Sequence, residues 1–305
     1  METLIRVLET ALPVFVTLAI GMLCRTKNIL TREGVSQLKS VAVNICLPAV
    51  LVSSFATAQY SRDSITVPLV VFAICCAALA VGVVACRLLK LQGKLTPYLF
   101  TGFEAGMLGY GLFALLFKNE PNSHFAIIDL GQVLFVFTVY KILLSGKAGL
   151  KNVLHEAVSS PVLWGIVAGL IIGATGLYDA LKPSGVSGIL DSLTSFISAA
   201  TSVLILISIG YDLVPSEIRW KKTAVITVLR FAIMGVMLAV ALLLNRFVLG
   251  GAMHIGSLVL MFILPPPYVL PVFADAGDER ANISSALSVT TLISIVLFAV
   301  MAAVL

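Results

Sequence analysis

Residues 264–271 read Leu-Pro-Pro-Pro-Tyr-Val-Leu-Pro, inside an apolar stretch that runs from residue 255 to residue 274. Four prolines within eight residues remove four backbone donors, so an ordinary helix cannot continue through them. Carbonyl groups freed in this way are tolerated inside a bilayer only where protein buries them or where they line a wet cavity. The stretch therefore predicts an interrupted membrane span with an opening beside it.

The composition of the whole chain is that of a membrane protein. Of its 305 residues, 59% are hydrophobic and 11% are charged, and the mean hydropathy is +1.08. These values exclude a soluble domain and a disordered chain, and five cysteines, all in apolar stretches, make no disulfide framework. Apolar runs without period-two alternation indicate helices rather than barrel strands. Ten such runs are long enough to span a bilayer: residues 4–24, 38–58, 67–89, 97–117, 125–144, 161–178, 190–213, 224–246, 255–274 and 283–305.

Basic residues between these spans predict the orientation. Fourteen Lys and Arg residues lie in the loops after spans 1, 3, 5, 7 and 9, and five lie on the other side. The positive-inside rule then places the first set in the cytoplasm and both termini outside. We expect a multi-pass protein of the cell (inner) membrane, surrounded by the lipid bilayer. The net charge of +5 is explained by these loops and does not indicate a nucleic-acid partner.

Ten spans with both ends on one side divide into two inverted five-helix repeats, residues 1–150 and 151–305, because five crossings reverse the second copy. Pro13 precedes Gly21 by eight residues in span 1, and Pro161 precedes Gly169 by eight in span 6. Inverted repeats with a pair of interrupted helices are typical of secondary transporters. In this scheme span 9 corresponds to span 4, and we expect the two to be broken and to cross.

Span 4 supports this pairing, because residues 101–111 contain four glycines and Glu104. The alternative is that the glycines only allow close helix packing and the prolines only kink. Glu104 lies about seven residues into the span, about 10 Å deep, where a carboxylate costs roughly 2.5–3.5 kcal/mol. It is a candidate proton carrier or, alternatively, a hydrogen-bonded structural glutamate. The candidate binding residues are Asn44, Pro48, Glu104, Gly106, Gly109, Gly111, Gln132, Pro265, Pro266, Pro267 and Tyr268.

Several polar residues outside the two interruptions leave alternatives open. Pro48 is expected to break span 2, where Asn44 either pairs with the freed carbonyls or lines the cavity. Asp129 and Gln132 share one face of span 5; Gln132 is placed in the cavity and Asp129 at the outer interface.

The remaining polar residues are expected nearer to the membrane surfaces. Arg230 is expected to snorkel to the cytoplasm or to pair with Asp212 or Glu217, with anion binding as the alternative. His254 is expected to cap span 9. A solvated turn is expected at Asp275, Asp278 and Glu279, and the sequon at Asn282 falls on the inner side.

Motifs of soluble enzymes are missing from the sequence. It has no Walker sequence, no Gly-x-Ser-x-Gly and no Cys/His metal cluster. We therefore expect neither an enzyme nor a bound cofactor or metal, and any energy source is a gradient or the substrate itself.

The chain resembles the auxin efflux carrier family over nearly its full length. The matching motifs are residues 44–48 with Phe55, 106–109, 208–213 and, most specifically, 264–274. The resemblance implies ten helices in two inverted repeats, with a crossover of helices 4 and 9. It implies a scaffold of helices 1, 2, 6 and 7 that often forms a homodimer, and a transport domain of helices 3–5 and 8–10. Organic anions would move by an elevator-like motion.

Two positions depart from the family pattern, since Glu104 stands where relatives commonly have Asn, and Gly111 where they have Pro. An ionised Glu104 would repel a substrate carboxylate, which favours coupling to a proton or cation. The working hypothesis is a gradient-driven secondary transporter of a small organic anion. The alternatives are a sodium-coupled anion symporter of the bile-acid type and a membrane sensor that binds a ligand without transporting it.

Overall fold

The computed structural model describes residues 2–58, 63–144, 159–213, 219–274 and 279–304. Within these residues the chain forms helices and no strands. The predicted basic loop after span 5, together with Glu217, Asp275 and Asp278, lies outside the described residues. The helices are numbered in chain order: α1 Glu2–Thr26, α2 Arg32–Ala56, α3 Asp63–Leu88, α4 Tyr110–Leu116, α5 Ser123–Leu144, α6 Pro161–Ala174, α7 Val186–Asp212, α8 Trp220–Phe247, α9 Ile255–Ile263 and α10 Arg280–Val304.

Six of these helices, α2, α3, α5, α7, α8 and α10, are long and apolar enough to cross a membrane. Two apolar helical stretches in the described residues, Leu12–Thr26 and Pro161–Ala174, are shorter. The helices of spans 4 and 9 are shorter still because the chain leaves the helical conformation within each span. The architecture is therefore that of an all-helical, multi-pass membrane protein.

Span 4 is interrupted where the sequence is rich in glycine. A 3₁₀ helix at Thr96–Phe100 ends in extended backbone at Thr101, and Gly102 has a φ of +66°, a conformation that favours glycine. Helical structure resumes as a π turn at Ala105–Gly109 and continues into α4. The Gly102 and Phe103 carbonyl groups and the Glu104 N–H therefore find their partners outside the helical hydrogen-bond pattern.

Span 9 is interrupted by its prolines. Helix α9 ends at Ile263, and Leu264 is extended, as expected for a residue that precedes proline. One further helical turn forms at Leu270–Phe273. The expected interruption is present in both spans.

The expected break in span 2 is wrong. Helix α2 continues from Arg32 to Ala56 through a π turn at Ala42–Cys46. Pro48 lies at the start of the α-helical part that follows this turn, so the wider turn accommodates the missing proline donor without ending the helix.

Helices α1 and α7, and likewise helices α6 and α2, pack backbone to backbone through glycine. A Cβ atom added to Gly21 of α1 would lie 2.1 Å from the carbonyl oxygen of Ile207 in α7. A Cβ atom added to Gly169 of α6 would lie 2.9 Å from the carbonyl oxygen of Val52 in α2. Small residues allow such approaches in membrane helices. Helix α1 therefore packs on α7, and α6 packs on α2.

Candidate functional site

The two irregular segments are hydrogen-bonded to each other. The backbone N–H of Glu104 donates to the carbonyl oxygen of Pro265 at 2.9 Å. In return, the backbone N–H of Tyr268 donates to the Glu104 carboxylate. Gly102 faces Pro267 so closely that an added Cβ would lie 2.7 Å from the proline Cγ. Glu104 thus links the span 4 segment to the span 9 segment through both its backbone and its side chain.

Arg230 of α8 also contacts both irregular segments. Its guanidinium donates to the carbonyl oxygens of Leu99 at 2.7 Å, Gly102 at 2.9 Å and Leu264 at 2.9 Å. The side chain is fully buried, so the expectation that it snorkels to the cytoplasm is wrong. These carbonyls have lost their helical partners at the interruptions, and a planar donor with several N–H groups satisfies three of them at once. Arg230 is a residue whose role the sequence analysis missed.

A small cavity of about 110 Å³ lies beside the interruptions. We call it the carboxylate cavity, because its polar lining consists of Glu104, Tyr110, Asp129 and Gln132 among apolar side chains of α2, α5 and α6. Among the described residues that line it there is no Lys, Arg or His. The polar lining therefore consists mainly of oxygen atoms that accept hydrogen bonds. Its side-chain donors are the Tyr110 hydroxyl and the Gln132 amide.

Asp129 belongs to this cavity, and its expected position at the outer interface is wrong. Its side chain is 2% exposed. The Tyr110 hydroxyl donates to Oδ2 at 3.1 Å, whereas Oδ1 has no hydrogen-bond partner among the residues that the structure describes. Gln132 is arranged in the same way: its Nε2 donates to the carbonyl of Phe103 at 2.8 Å, while its Oε1 has no partner in the described part of the chain. Two buried oxygen atoms beside the carboxylate cavity therefore have no hydrogen-bond partner among the described residues.

A larger cavity of about 780 Å³ lies between α1, α2 and α7 on one side and α10 with Tyr268 on the other. We call it the basic vestibule, because Arg25, Arg32, Lys39 and Arg280 line it. Its single lining carboxylate among the described residues, Asp212, forms an ion pair with Lys39. Serine and threonine hydroxyls complete a lining suited to an anion.

Tyr268 separates the two cavities. Its neighbours Pro267 and Val269 line the carboxylate cavity, whereas Tyr268 itself lines the vestibule. Its hydroxyl is 2.6 Å from the Oγ1 atom of Thr291 in α10. The Glu104 carboxylate, which accepts from the Tyr268 N–H, therefore lies directly behind the vestibule wall.

The structure brings part of the predicted set together. Glu104, Gly106, Gln132 and Pro267 line the carboxylate cavity, and Tyr268 lines the vestibule. Pro265 takes part through its carbonyl group, and Pro266 is buried beside it.

Four predicted residues do not line either cavity. Asn44 is exposed and donates to the Ser40 hydroxyl at 3.0 Å, and Pro48 packs against Gly165 of α6. Gly109 touches Phe125 and Leu264, and Gly111 touches Ser202 of α7, so closely that an added Cβ would overlap them. For these two glycines the alternative of close packing is the better description.

Two polar residues predicted near the membrane surfaces, His254 and Glu279, accept hydrogen bonds from backbone N–H groups. His254 is the N-cap of α9, accepting from the Ser257 N–H at 3.1 Å, as expected. Glu279 does more than solvate a turn, because its carboxylate accepts from the backbone N–H groups of Lys94 at 2.8 Å and Leu95 at 3.1 Å. It thereby ties the start of α10 to the approach to span 4.

Comparison with known proteins identifies the family of the chain. Residues 6–302 match the family model described as membrane transport protein. The chain belongs to this family. The match confirms the resemblance to auxin efflux carriers, and it makes the chain a membrane transport protein by descent.

Two relatives carry descriptions of the same kind. An uncharacterized transporter of Methanothermobacter thermautotrophicus is 26% identical over 298 residues, which cover 94% of this chain and 95% of that protein. An uncharacterized transporter of Methanocaldococcus jannaschii is 26% identical over 225 residues, which cover 70% of this chain and 71% of that protein.

Proposed function

We propose that the protein is a gradient-driven secondary transporter of a small organic anion, a carboxylate, with a proton or cation as the coupling ion. The observation that carries the proposal is the pair of unlike cavities that share one wall. The basic vestibule presents four cationic side chains, whereas the carboxylate cavity behind Tyr268 presents Glu104 and Asp129. An anion is attracted to the first and a cation to the second.

The shared wall supplies a coupling mechanism. An ionised Glu104 is a strong acceptor for the Tyr268 N–H. Protonation, or neutralisation by a cation, weakens that bond and frees residues 264–269 to move relative to the vestibule. An ionised Glu104 side chain is costly at this depth in the membrane. The segment would therefore move only with Glu104 neutralised, so that the proton or cation moves together with the anion held by the vestibule cations.

The proposal includes an inverted repeat and an elevator-like motion. The glycine contacts support it: α1 packs on α7, and α6 packs on α2, which is the exchange expected when helix n corresponds to helix n+5. The vestibule lies between α1, α2 and α7 on one side and α10 with Tyr268 on the other. We assign α1, α2, α6 and α7 to the scaffold, which would also form the homodimer, and helices 3–5 and 8–10 to the moving body.

The sodium-coupled alternative is favoured by one specific observation. Oδ1 of Asp129 and Oε1 of Gln132 are buried, and no described residue gives either of them a hydrogen bond, although both residues line the carboxylate cavity. Buried acceptors without partners are costly, and oxygen ligands suit hard cations. Sodium and protons are therefore separate arms of the experiment below.

The test is uptake or efflux of radiolabelled mono- and dicarboxylates in proteoliposomes, with pH and sodium gradients imposed separately. We expect flux that responds to one gradient, and we expect Glu104→Gln to remove that response. Glu9→Gln is the matched control, because Glu9 is exposed on α1. Gradient-dependent flux that survives Glu104→Gln would remove the coupling role, and saturable binding without flux under any gradient would favour the sensor.

A further inference from the structure

Two histidines and a glutamate meet on the predicted outer side, away from both cavities. Glu120 and His124 lie at the connection from α4 to α5, and His254 lies directly before α9. One ligand atom from each residue lies within 4.8 Å of the other two. Nδ1 of His124 is 3.1 Å from the Glu120 carboxylate, and the two imidazole rings stack at 5.1 Å between centroids. The fold thus creates a cluster that was not visible in the sequence.

The surroundings hold the His254 ring in place. Phe113 and Phe117 contact it edge-on, at 6.4 and 5.2 Å between centroids. Nδ1 lies 2.9 Å from the Ser257 hydroxyl and 3.1 Å from the Ser257 backbone nitrogen. With Nδ1 accepting from the Ser257 N–H, the neutral ring carries its proton on Nε2. Binding of a metal at Nε2 therefore requires the tautomer with the proton on Nδ1, in which the Ser257 hydroxyl accepts that proton and the bond from the Ser257 N–H is lost. A metal-binding histidine commonly has such a partner on its second nitrogen.

The ligand types select a class of ion. Two imidazoles and one carboxylate suit Zn²⁺ and neighbouring first-row ions, with water in the remaining positions. Metal–ligand distances of about 2.0–2.2 Å require ligand atoms about 3.3–3.6 Å apart in a tetrahedral site. The Glu120–His124 pair, at 3.1 Å, is slightly closer than this separation, and the exposed Glu120 side chain can rotate to complete the site.

We propose that Glu120, His124 and His254 form a binding site for Zn²⁺ or another divalent first-row transition ion. The bound ion would link the start of α5 to the start of α9, the helix that ends at the proline interruption. Metal binding is expected to stabilise the folded protein, because the site exists only when these two helices are assembled. The proposal does not depend on the transported substrate.

The experiment uses the full chain, purified in detergent with a tag that contains no histidine and treated with a chelator. ZnCl₂ is titrated by isothermal calorimetry, and the thermal midpoint is followed in parallel with MgCl₂ as the ionic control. We expect one saturable Zn²⁺ site and a raised midpoint with Zn²⁺ only. His124→Ala should weaken binding at least about tenfold.

His254 needs a variant that preserves the helix cap. Asparagine is a good N-cap residue, so His254→Asn removes the imidazole and keeps a capping oxygen; we expect the same loss of affinity with a normal midpoint in the absence of metal. The third histidine of the chain provides the matched control, and His155→Ala should bind Zn²⁺ like the wild type. Failure of the wild type to bind Zn²⁺, or unchanged binding by folded His124→Ala and His254→Asn, would overturn the proposal.

Discussion

Arg230 offers the sharpest test of how the two interruptions are held together. Its guanidinium satisfies three carbonyl groups, those of Leu99, Gly102 and Leu264. The substitution Arg230→Met keeps a long side chain to fill the space and removes every donor. Three buried acceptors then lose their partner at once.

The magnitude follows from the cost of unpaired buried groups. Each unsatisfied carbonyl costs about 1–3 kcal/mol, or about 3–9 kcal/mol for three. Removing the guanidinium also relieves its own desolvation cost, which is several kcal/mol. We expect a net loss of about 2–5 kcal/mol in folding stability. At about 2 °C per kcal/mol for a chain of this size, the thermal midpoint should fall by about 4–10 °C.

The assay is differential scanning fluorimetry of the purified protein in detergent. Arg246→Met is the control, because Arg246 lies in the last turn of the same helix and is exposed, with its guanidinium 5.5 Å from the Phe247 ring. Arg230→Lys should fall between the wild type and Arg230→Met, since one ammonium keeps the charge and loses the planar fork. Equal midpoints for Arg230→Met and Arg246→Met would refute the reasoning.

Three further predictions address the packing and the loops. Gly21→Ala should lower the thermal midpoint by several degrees, because its Cβ would lie 2.1 Å from a backbone oxygen of α7. Gly235→Ala should leave the midpoint unchanged, because no atom of the described residues lies within 4 Å of the added Cβ. Asn245→Ala should destabilise the fold by about 2–4 kcal/mol, measured by the same thermal assay, because the amide both donates to and accepts from the backbone of Met253 at 2.9 Å. Hydrogen bonding to Asp191, followed by burial, raises the pKa of Tyr178 to about 12 from 10.0. The stabilisation from this bond is therefore present below pH 10 and is lost towards pH 12. In a titration that follows tyrosinate absorbance, Asp191→Asn should move the ionisation of Tyr178 to lower pH. The Tyr178→Phe variant identifies which step of the titration belongs to Tyr178.

The location of the interruptions was predictable because their cause is local. Proline lacks an N–H wherever it stands, and glycine tolerates the positive φ that Gly102 adopts. Glu104 was predictable for a related reason, since an ionisable group in an apolar span is costly and requires partners. The structure supplies such a partner in the Tyr268 N–H.

The partners of the other polar residues were not predictable in this way. Spacing placed Asp129 and Gln132 on one face of α5, but it did not show that both face the carboxylate cavity. Arg230 could equally have reached the cytoplasm from its position in α8. Counting residues along one helix gives the depth of a side chain in the membrane, but it does not show which neighbouring helices cover that side chain.

Sequence alone established the membrane environment, the helical class and the two weak points of the helices, because hydropathy and backbone stereochemistry are properties of short segments. Tertiary structure alone decided which side chains share a cavity: Asp129 with Glu104, four basic residues around one vestibule, and His124 with His254. These groups come from segments far apart in the chain, and their distances depend on how whole helices pack. Close packing through glycine sets those distances, and no short stretch of sequence encodes them.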